Sequence, residues 1–253
     1  MLKHRVIPIL LLRNGGLVKT FKFADPKYVG DPINAIRIFN EKEVDELVVL
    51  DILASKEKRE PNYDLIEQFA GECFMPLAYG GGITSVDQAR RLFSIGVEKV
   101  SIQTSALADQ DIVTDIASRY GNQSVIVAID IKKNRFGQYK LLSSATGKML
   151  DQDWKEFLKT AVAAGAGEIL INAVDRDGTM NGMDLSLIEL AVSACSVPLI
   201  AAGGVGSLTD IKAGVKAGAS AIAAGAFFVY YGPHRAVLIT YPKYQELIEL
   251  LET

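Results

Sequence analysis

Three aspartates follow apolar runs of the kind that form buried strands, and their placement points to acid–base chemistry. Asp130 ends the run VIVAID, Asp51 ends LVVLD, and Asp177 lies just after a third run, in DRDGT. A carboxylate at the end of a strand can act as a general acid or base, or it can cap the following loop. The pair Asp177-Gly178 is also typical of a simple turn. With three such positions, we expect at least one catalytic carboxylate.

A glycine-rich segment that occurs twice predicts two anion-binding loops. PLAYGGGITS at 76–85 recurs as PLIAAGGVGS at 198–207, and each copy leads from an apolar run into a helix with Ser85 or Ser207 as its N-cap. Glycines let the backbone approach a ligand closely, and the amides at a helix start favour an anion. We therefore expect one phosphate site after strands 3 and 4 and another after strands 7 and 8. The alternative is that these glycines only permit tight turns.

The elements that position these residues alternate between short β-branched runs and segments long enough for a helix. Most runs are apolar throughout, as expected for parallel strands covered on both faces. This pattern predicts an α/β fold with one domain over 1–253, a (βα)₈ TIM barrel whose half-barrels cover about 1–122 and 123–253, and an open doubly wound sheet is the alternative. The predicted strands are Arg5–Leu12, Glu46–Ile52, Met75–Tyr79, Lys99–Gln103, Ser124–Asp130, Glu168–Ala173, Val197–Ala202 and Ser220–Ala224.

The composition argues against several classes of protein. A chain of 253 residues with 49% hydrophobic and 23% charged residues fits one globular domain, and its net charge of −3 gives no basic field for nucleic acid. No apolar segment approaches the roughly 20 residues that span a membrane, and we read the start, MLKHRVIPILLL, as a strand rather than a cleaved signal. The isolated Cys73 and Cys195 favour neither a disulfide nor zinc. We expect a cytoplasmic protein with no metal and no cofactor.

Five motifs resemble those of the cyclase subunit of imidazole glycerol phosphate synthase. They are GDPINA at 30–35, DELVVLDI at 45–52, YGGGI at 79–83, VAID at 127–130 and DRDGT at 175–179. The resemblance covers nearly the whole chain, in order and with little insertion. It implies that ammonia from a glutaminase partner enters at the N-terminal face of the barrel and crosses the core to a bisphosphorylated small-molecule substrate at the other end.

The resemblance also implies roles for individual residues. A gate of alternating charges at the strand starts would consist of Arg5, Glu46, Lys99 and Glu168, although a solvated, ion-paired rim is the alternative. Lys19 matches a mobile-loop lysine that closes over the substrate, although alone it could be a solvated lysine. The candidate substrate- and phosphate-binding residues are Lys19, Gly81, Gly82, Gln103, Thr104, Gly178, Gly203, Gly204, Gly225 and Ala226.

The sequence departs from the family pattern where the chemistry is most sensitive. The family uses two aspartates for ring closure, at the ends of strands 1 and 5, but here Leu11 occupies the first position and only Asp130 remains. Leucine can neither donate nor accept a proton. Gln103 replaces the usual asparagine, and Ala226 replaces the usual serine. We therefore expect poor ordinary cyclase activity, with Asp130 as the main residual catalytic group.

Three functions fit this combination. The flanking segment LLLRNGGLVKT at 10–20 resembles a paralogous branch linked to bacterial surface-polysaccharide loci, in which ammonia is supplied to an ATP-dependent amidotransferase that makes acetamidino sugars. Our leading hypothesis is such an ammonia-channelling subunit. The second is an authentic histidine-pathway cyclase that uses Asp51 or Asp177 in place of the missing carboxylate. The third is a catalytically silent conduit and scaffold.

Overall fold

The computed structural model describes residues 4–251, and within them eight parallel strands form a closed barrel. Each strand pairs with the next along the chain, and β8 pairs with β1 in the register Arg5↔Ala221 to Pro8↔Ala224. This last ladder closes the sheet, so the open doubly wound alternative is wrong. The strands are β1 Arg5–Arg13, β2 Leu47–Asp51, β3 Leu77–Gly80, β4 Lys99–Ile102, β5 Val125–Lys133, β6 Glu168–Ala173, β7 Leu199–Ala202 and β8 Ala221–Ala224.

The predicted strands are confirmed, with shifts at their ends. β3 and β7 start two residues later than predicted, directly after Pro76 and Pro198. Both prolines lack a backbone N–H and cannot donate to a ladder, although their carbonyls accept hydrogen bonds from the N–H groups of Leu47 and Ile169. β5 runs three residues past Asp130, to Lys133, because it continues beyond the barrel into a hairpin.

Helices outside the barrel follow the strands and pack on their outer faces. Ser85 and Ser207 are N-caps as predicted, since their side chains accept hydrogen bonds from the backbone N–H of Gln88 and of Asp210. Among the described residues, no helix has the length and apolar character needed to cross a membrane. The main helices are α1 Pro32–Glu41, α2 Tyr63–Glu72, α3 Val86–Ser94, α4 Asp111–Tyr120, α5 Trp154–Ala163, α6 Leu185–Ala194, α7 Leu208–Lys216 and α8 Tyr244–Leu251; the short ones are Thr104–Ala108, Asn122–Ser124, Val174–Arg176 and Ala226–Val229.

Two hairpins that the sequence did not predict rise from the C-terminal end of the barrel. After β1, strands Gly16–Phe21 and Ala24–Gly30 form an antiparallel pair that continues the sheet. After β5, Tyr139–Ser143 pairs with the extended end of that strand, and Lys148–Met149 pairs with it in turn. The hairpins occupy equivalent places in the two predicted half-barrels, whose boundary near residue 122 stays a prediction. A small strand pair, Tyr230–Tyr231 with Ala236–Val237, follows β8.

The strands sort their side chains between two cores. One set of alternate residues packs under the helices, and the other fills the barrel, as the two-residue period of a strand requires. Small and branched apolar side chains dominate the middle of the interior. The buried interior residues are Ile7, Val48, Ala78, Ile126, Leu170, Ile200, Ala202, Ala221 and Ala223.

The second glycine loop is shaped by contact with the protein's own backbone. Gly204 has a φ of +100°, and a Cβ built there would lie 2.2 Å from the carbonyl oxygen of Gly182. Gly147, in the turn of the β5 hairpin, has a φ of +70° but has nothing within 4 Å of such a Cβ. A substitution at Gly147 therefore tests backbone strain alone, whereas one at Gly204 tests backbone strain together with steric overlap.

We predict that Gly204→Ala lowers the free energy of unfolding well beyond the matched control Gly147→Ala. The free energy of unfolding of the control should fall by about 1 kcal/mol because of its backbone conformation alone. Gly204→Ala must also move a neighbouring backbone segment. Urea unfolding of the two variants and the parent protein measures the difference. Equal losses would show that the contact with Gly182 does not constrain this loop.

Candidate functional site

A cavity opens at the C-terminal ends of the strands and encloses about 1250 Å³, including its open mouth. The predicted residues that line it are Lys19, Asp51, Gly81, Gln103, Thr104, Asp130, Asp177, Gly178, Gly203, Gly204, Gly225 and Ala226. Gly82, also predicted, is not part of this lining in the described structure; its N–H donates to Ser55 Oγ at 3.2 Å.

Asp130 is a buried carboxylate on the inner face of β5, with 8% of the residue exposed. Gln103 Nε2 donates a hydrogen bond to Asp130 Oδ2 at 2.6 Å, and the side chain of Asn172 donates another. Burial raises the pKa of Asp130 to about 7, aided by the negative charge of Asp177 and opposed by the two amide donors. A carboxyl group with this pKa can exchange a proton near neutral pH, as a general acid or base must.

Leu11 lies on β1, four strands around the barrel from Asp130, and lines the same cavity. It is 9% exposed and continues an apolar wall formed with Ile9 and Leu50. The structure therefore provides a proton-exchanging group on one side of the mouth and a hydrocarbon surface on the other.

Asp177 fastens the β1 hairpin over the mouth. One of its carboxylate oxygens accepts a hydrogen bond from Lys19 Nζ at 2.7 Å, and the other accepts one from Thr20 Oγ1 at 2.7 Å. Lys19 is 7% exposed, so it is not a solvated loop lysine in this conformation. Its stem also packs near Gly225, where an added Cβ would meet Lys19 Cε at 3.1 Å. Lys19 thus connects the hairpin to the start of the segment that follows β8.

Asp51 stands at the end of β2 with its side chain already engaged. Its Oδ1 accepts the backbone N–H groups of Leu53 at 2.9 Å and of Ala54 at 3.0 Å, and its Oδ2 lies 3.5 Å from Arg59 Nη2. This is the loop-capping arrangement that the sequence left open for such an aspartate. A catalytic role for Asp51 stays a prediction, and it would have to act from within this turn.

The two glycine loops lie on opposite sides of the mouth because four strands separate β3–β4 from β7–β8. Gly81 and Gly203 have φ values of +116° and +98°, and a Cβ at either would overlap a backbone carbonyl. Tight packing therefore accounts for these two glycines. The short helices Thr104–Ala108 and Ala226–Val229 begin at the cavity, and neither has a side-chain cap, so their first amides remain suited to an anion.

A closed ring of ion pairs occupies the opposite, N-terminal end of the barrel. Arg5 pairs with Glu46 and lies 2.9 Å from Glu168, while Lys99 Nζ lies 3.0 Å from Glu46 and 3.2 Å from Glu168. Glu46 is 1% exposed, whereas 27% of the Arg5 side chain is exposed, so the ring is partly shielded from solvent. Burial lowers the pKa of Arg5, but the charges of Glu168 and Glu46 outweigh it and raise that pKa overall. Arg5 therefore stays charged at any physiological pH.

Sequence reasoning missed two polar residues beside Asp130. Asn172 is its ladder partner on β6, and Ser144, beyond the β5 hairpin strand, binds Gln103 through its N–H at 2.9 Å and through its hydroxyl. The alternation along β6 could have found Asn172, since inward-facing Glu168 is four residues before it. Ser144 had no comparable signal because it comes from an unpredicted hairpin. In the described range, no group of three or more His, Cys, Asp or Glu residues could hold a metal ion.

Comparison with known proteins gives consistent matches over almost the whole chain. Residues 5–234 match the family described as "Histidine biosynthesis protein". The chain is 52% identical over 248 residues, covering 98% of it and 99% of the relative, to the "Putative imidazole glycerol phosphate synthase subunit hisF2" of Pseudomonas aeruginosa. It is 49% identical to a protein named as subunit HisF in Leptospira interrogans, covering 97% and 98% of the two chains. A Vibrio vulnificus protein named as subunit hisF3 is 47% identical, covering 100% and 98%.

We predict that Asp130→Asn becomes more stable relative to the parent protein as the pH rises. A folded-state pKa of about 7 against an ordinary value of 3.8 means that burial favours the protonated acid. The contribution of Asp130 to the stability of the parent protein is fully present below pH 3.8 and is lost as the pH rises through about 7. The relative gain between pH 4 and pH 8 should not exceed roughly 4 kcal/mol.

Urea unfolding at several pH values measures this gain, with Asp115→Asn on an exposed face of α4 as the control. The control changes an exposed carboxylate away from the cavity, so it should not reproduce the gain. A stability difference between Asp130→Asn and the parent protein that stays constant from pH 4 to pH 8 would contradict the account of Asp130.

Proposed function

The chain belongs to the histidine biosynthesis protein family, and from that premise we propose that it is the ammonia-accepting barrel subunit of a glutamine-dependent amidation complex. The observation that carries the proposal is the retention of the charged ring, Arg5–Glu46–Lys99–Glu168, in a barrel whose mouth has Leu11 opposite Asp130. The residues that match the family's ammonia gate are present, whereas Leu11 stands where the family has the second carboxylate used for ring closure.

The barrel interior suits neutral ammonia. Between the ring and the mouth, the interior is lined by apolar side chains such as Ile7, Val48 and Leu170. Transfer of ammonium into such surroundings is costly because a charge loses its hydration, whereas neutral ammonia carries no such penalty. In our proposal the ring admits ammonia from a glutaminase subunit docked at the N-terminal face.

Asp130 is the group that acts on ammonia when it reaches the mouth. As the nitrogen attacks a carbonyl carbon, the C–O π bond opens and its oxygen takes up a proton. The nitrogen must lose a proton, and a carboxylate whose pKa is about 7 can accept it. Lys19 and the uncapped helix starts at Thr104 and Ala226 hold the phosphates of a bisphosphorylated ligand on the two sides of the cavity. Leu11 leaves the opposite side without a proton donor or acceptor.

The final nitrogen acceptor in this proposal is a surface-polysaccharide sugar, amidated with the help of an ATP-dependent amidotransferase. The basis is the resemblance of residues 10–20 to the paralogous branch, and this segment forms the end of β1 and the start of the hairpin over the mouth. The complex would work in the cytoplasm, consistent with the free thiols of Cys73 and Cys195.

A histidine-pathway cyclase is the second candidate, and one observation favours it. The charge of Asp177 acts on Asp130, and both carboxylates line the same cavity, so a second acid–base group is within electrostatic reach. However, Asp177 is already bonded to Lys19 and Thr20. It could serve in catalysis only if the β1 hairpin released it.

The charged ring yields the first test. In the complex reconstituted with its glutaminase and amidotransferase, Lys99→Met should lower the glutamine-dependent amidation rate several-fold and leave the rate with added ammonium unchanged. Ammonia from the glutaminase must pass the ring, whereas ammonium in solution can supply ammonia through the mouth. Arg37→Met, which breaks the exposed pair Arg37–Glu72, is the control. A Lys99→Met variant with an unaltered ratio of the two rates would reject the ammonia route.

The carboxylate yields the second test. Asp130→Asn should reduce amidation with either nitrogen source by about 10²–10⁴-fold, the usual contribution of a general acid or base. The exposed Asp115→Asn should have no effect. Unchanged amidation in Asp130→Asn would instead support the third hypothesis, a silent conduit and scaffold.

A further inference from the structure

The carboxylate of Asp130 is connected to the β5 hairpin through a single side chain. Ser144 donates from its backbone N–H and from its hydroxyl to Gln103 Oε1, and Gln103 Nε2 donates to Asp130 Oδ2. Both ends of one amide are therefore occupied. Because its oxygen accepts two donors from the hairpin, the amide must present its nitrogen to the carboxylate.

Gln103 has the length that this connection requires. The β4–β5 register pairs Ile102 with Val127, so Gln103 is level with Ala128, and Asp130 lies two residues further along β5. Two residues of strand span about 6.6 Å, a step that a glutamine side chain covers more readily than an asparagine. The same side chain also reaches the hairpin. The length of Gln103 thus suits a bond to Asp130, which lies two residues further along the barrel than the ladder position of Gln103.

Asn172 holds the carboxylate from the other side. It is the direct ladder partner of Asp130, and its side-chain nitrogen donates to that carboxylate. Its Oδ1 is buried and has no hydrogen-bond partner in the described structure. A buried acceptor without a donor carries a desolvation cost. The amide is oriented toward Asp130 despite that cost.

We propose that Ser144, Gln103 and Asn172 are positioning residues that together hold Asp130 in one orientation as a hydrogen-bond acceptor. The inference rests on the proposed function only in that Asp130 is the group the reaction uses. With Leu11 across the mouth, no second carboxylate is available to orient or share a proton with Asp130 from that side. The hairpin after β5 and the neighbouring strand β6 supply this constraint instead.

Two charged residues near Asp130 act on it differently from the neutral side chains of Ser144, Gln103 and Asn172. Asp177, from the loop after β6, acts on Asp130 through its negative charge, and it is itself paired with Lys19 from the β1 hairpin. The charges of Asp177 and Lys19 stay the same when residue 103, 144 or 172 is replaced, because those three residues are neutral. Loss of an amide donor removes stabilisation from the ionised form alone, so the titration of Asp130 should move upward.

Carbon-detected NMR of the Asp130 side-chain carboxyl in the isolated protein tests this directly, without any assay of activity. Gln103→Leu, Asn172→Leu and Ser144→Ala should each raise its titration midpoint, by about one pH unit for the two amides and less for the serine. Gln103→Asn keeps the amide but shortens it, and it should behave like Gln103→Leu. Ser143→Ala, next to Ser144 but bonded only to the hairpin turn, is the matched control and should leave the midpoint unchanged.

The pH profile of amidation provides the second readout. The acidic limb should move upward by the same interval in each variant, with the change mainly in kcat rather than in KM, since these residues act through Asp130. An Asp130 midpoint that stays at the parental value in both amide variants would overturn the positioning role. Because the NMR titration needs no partner, a failure of the proposed amidation would leave this result standing and would be recognised separately.

Discussion

The hydrogen-bonded ladder between β8 and β1 turns a sheet into a barrel, and the placement of every functional group depends on it. Closure divides alternate residues of each strand between the helices and the interior. The charged ring at Arg5, Glu46, Lys99 and Glu168 can exist only because four strand starts face a common axis. The same closure brings the two glycine loops to opposite sides of one cavity and places Leu11 and Asp130 on its facing walls.

The two ends of the barrel carry different functional groups. At the N-terminal end, four charges remain in a closed, partly shielded ring above which the interior is apolar. At the mouth, Asp130 is buried, held by amides and given a pKa of about 7, but the facing position is hydrocarbon. A site that needs one proton acceptor is complete in this arrangement, and one that needs a pair is not. This asymmetry favours nitrogen delivery over ring closure.

Much of this could be predicted from the sequence because strand pattern and glycine turns are local signals. All eight strands and both serine caps follow from such patterns. The two hairpins could not be predicted, since their pairing depends on long-range contacts with extended strands, and so Ser144 was missed. The bond from Lys19 to Asp177 joins residues 158 positions apart, and no local spacing reveals it. The tight backbone packing of Gly81 and Gly203 likewise needed coordinates.

The central proposal is that a barrel with Leu11 at this position delivers ammonia, with Asp130 as its catalytic group, and does not close the ring efficiently. The most direct measurement is turnover of the histidine-pathway bisphosphate substrate with excess ammonium at alkaline pH, compared between the parent protein and Leu11→Asp. Our account predicts a parent rate about 10²–10⁴-fold below that of an ordinary cyclase and a clear increase in Leu11→Asp. A parent rate equal to that of an ordinary cyclase would contradict it.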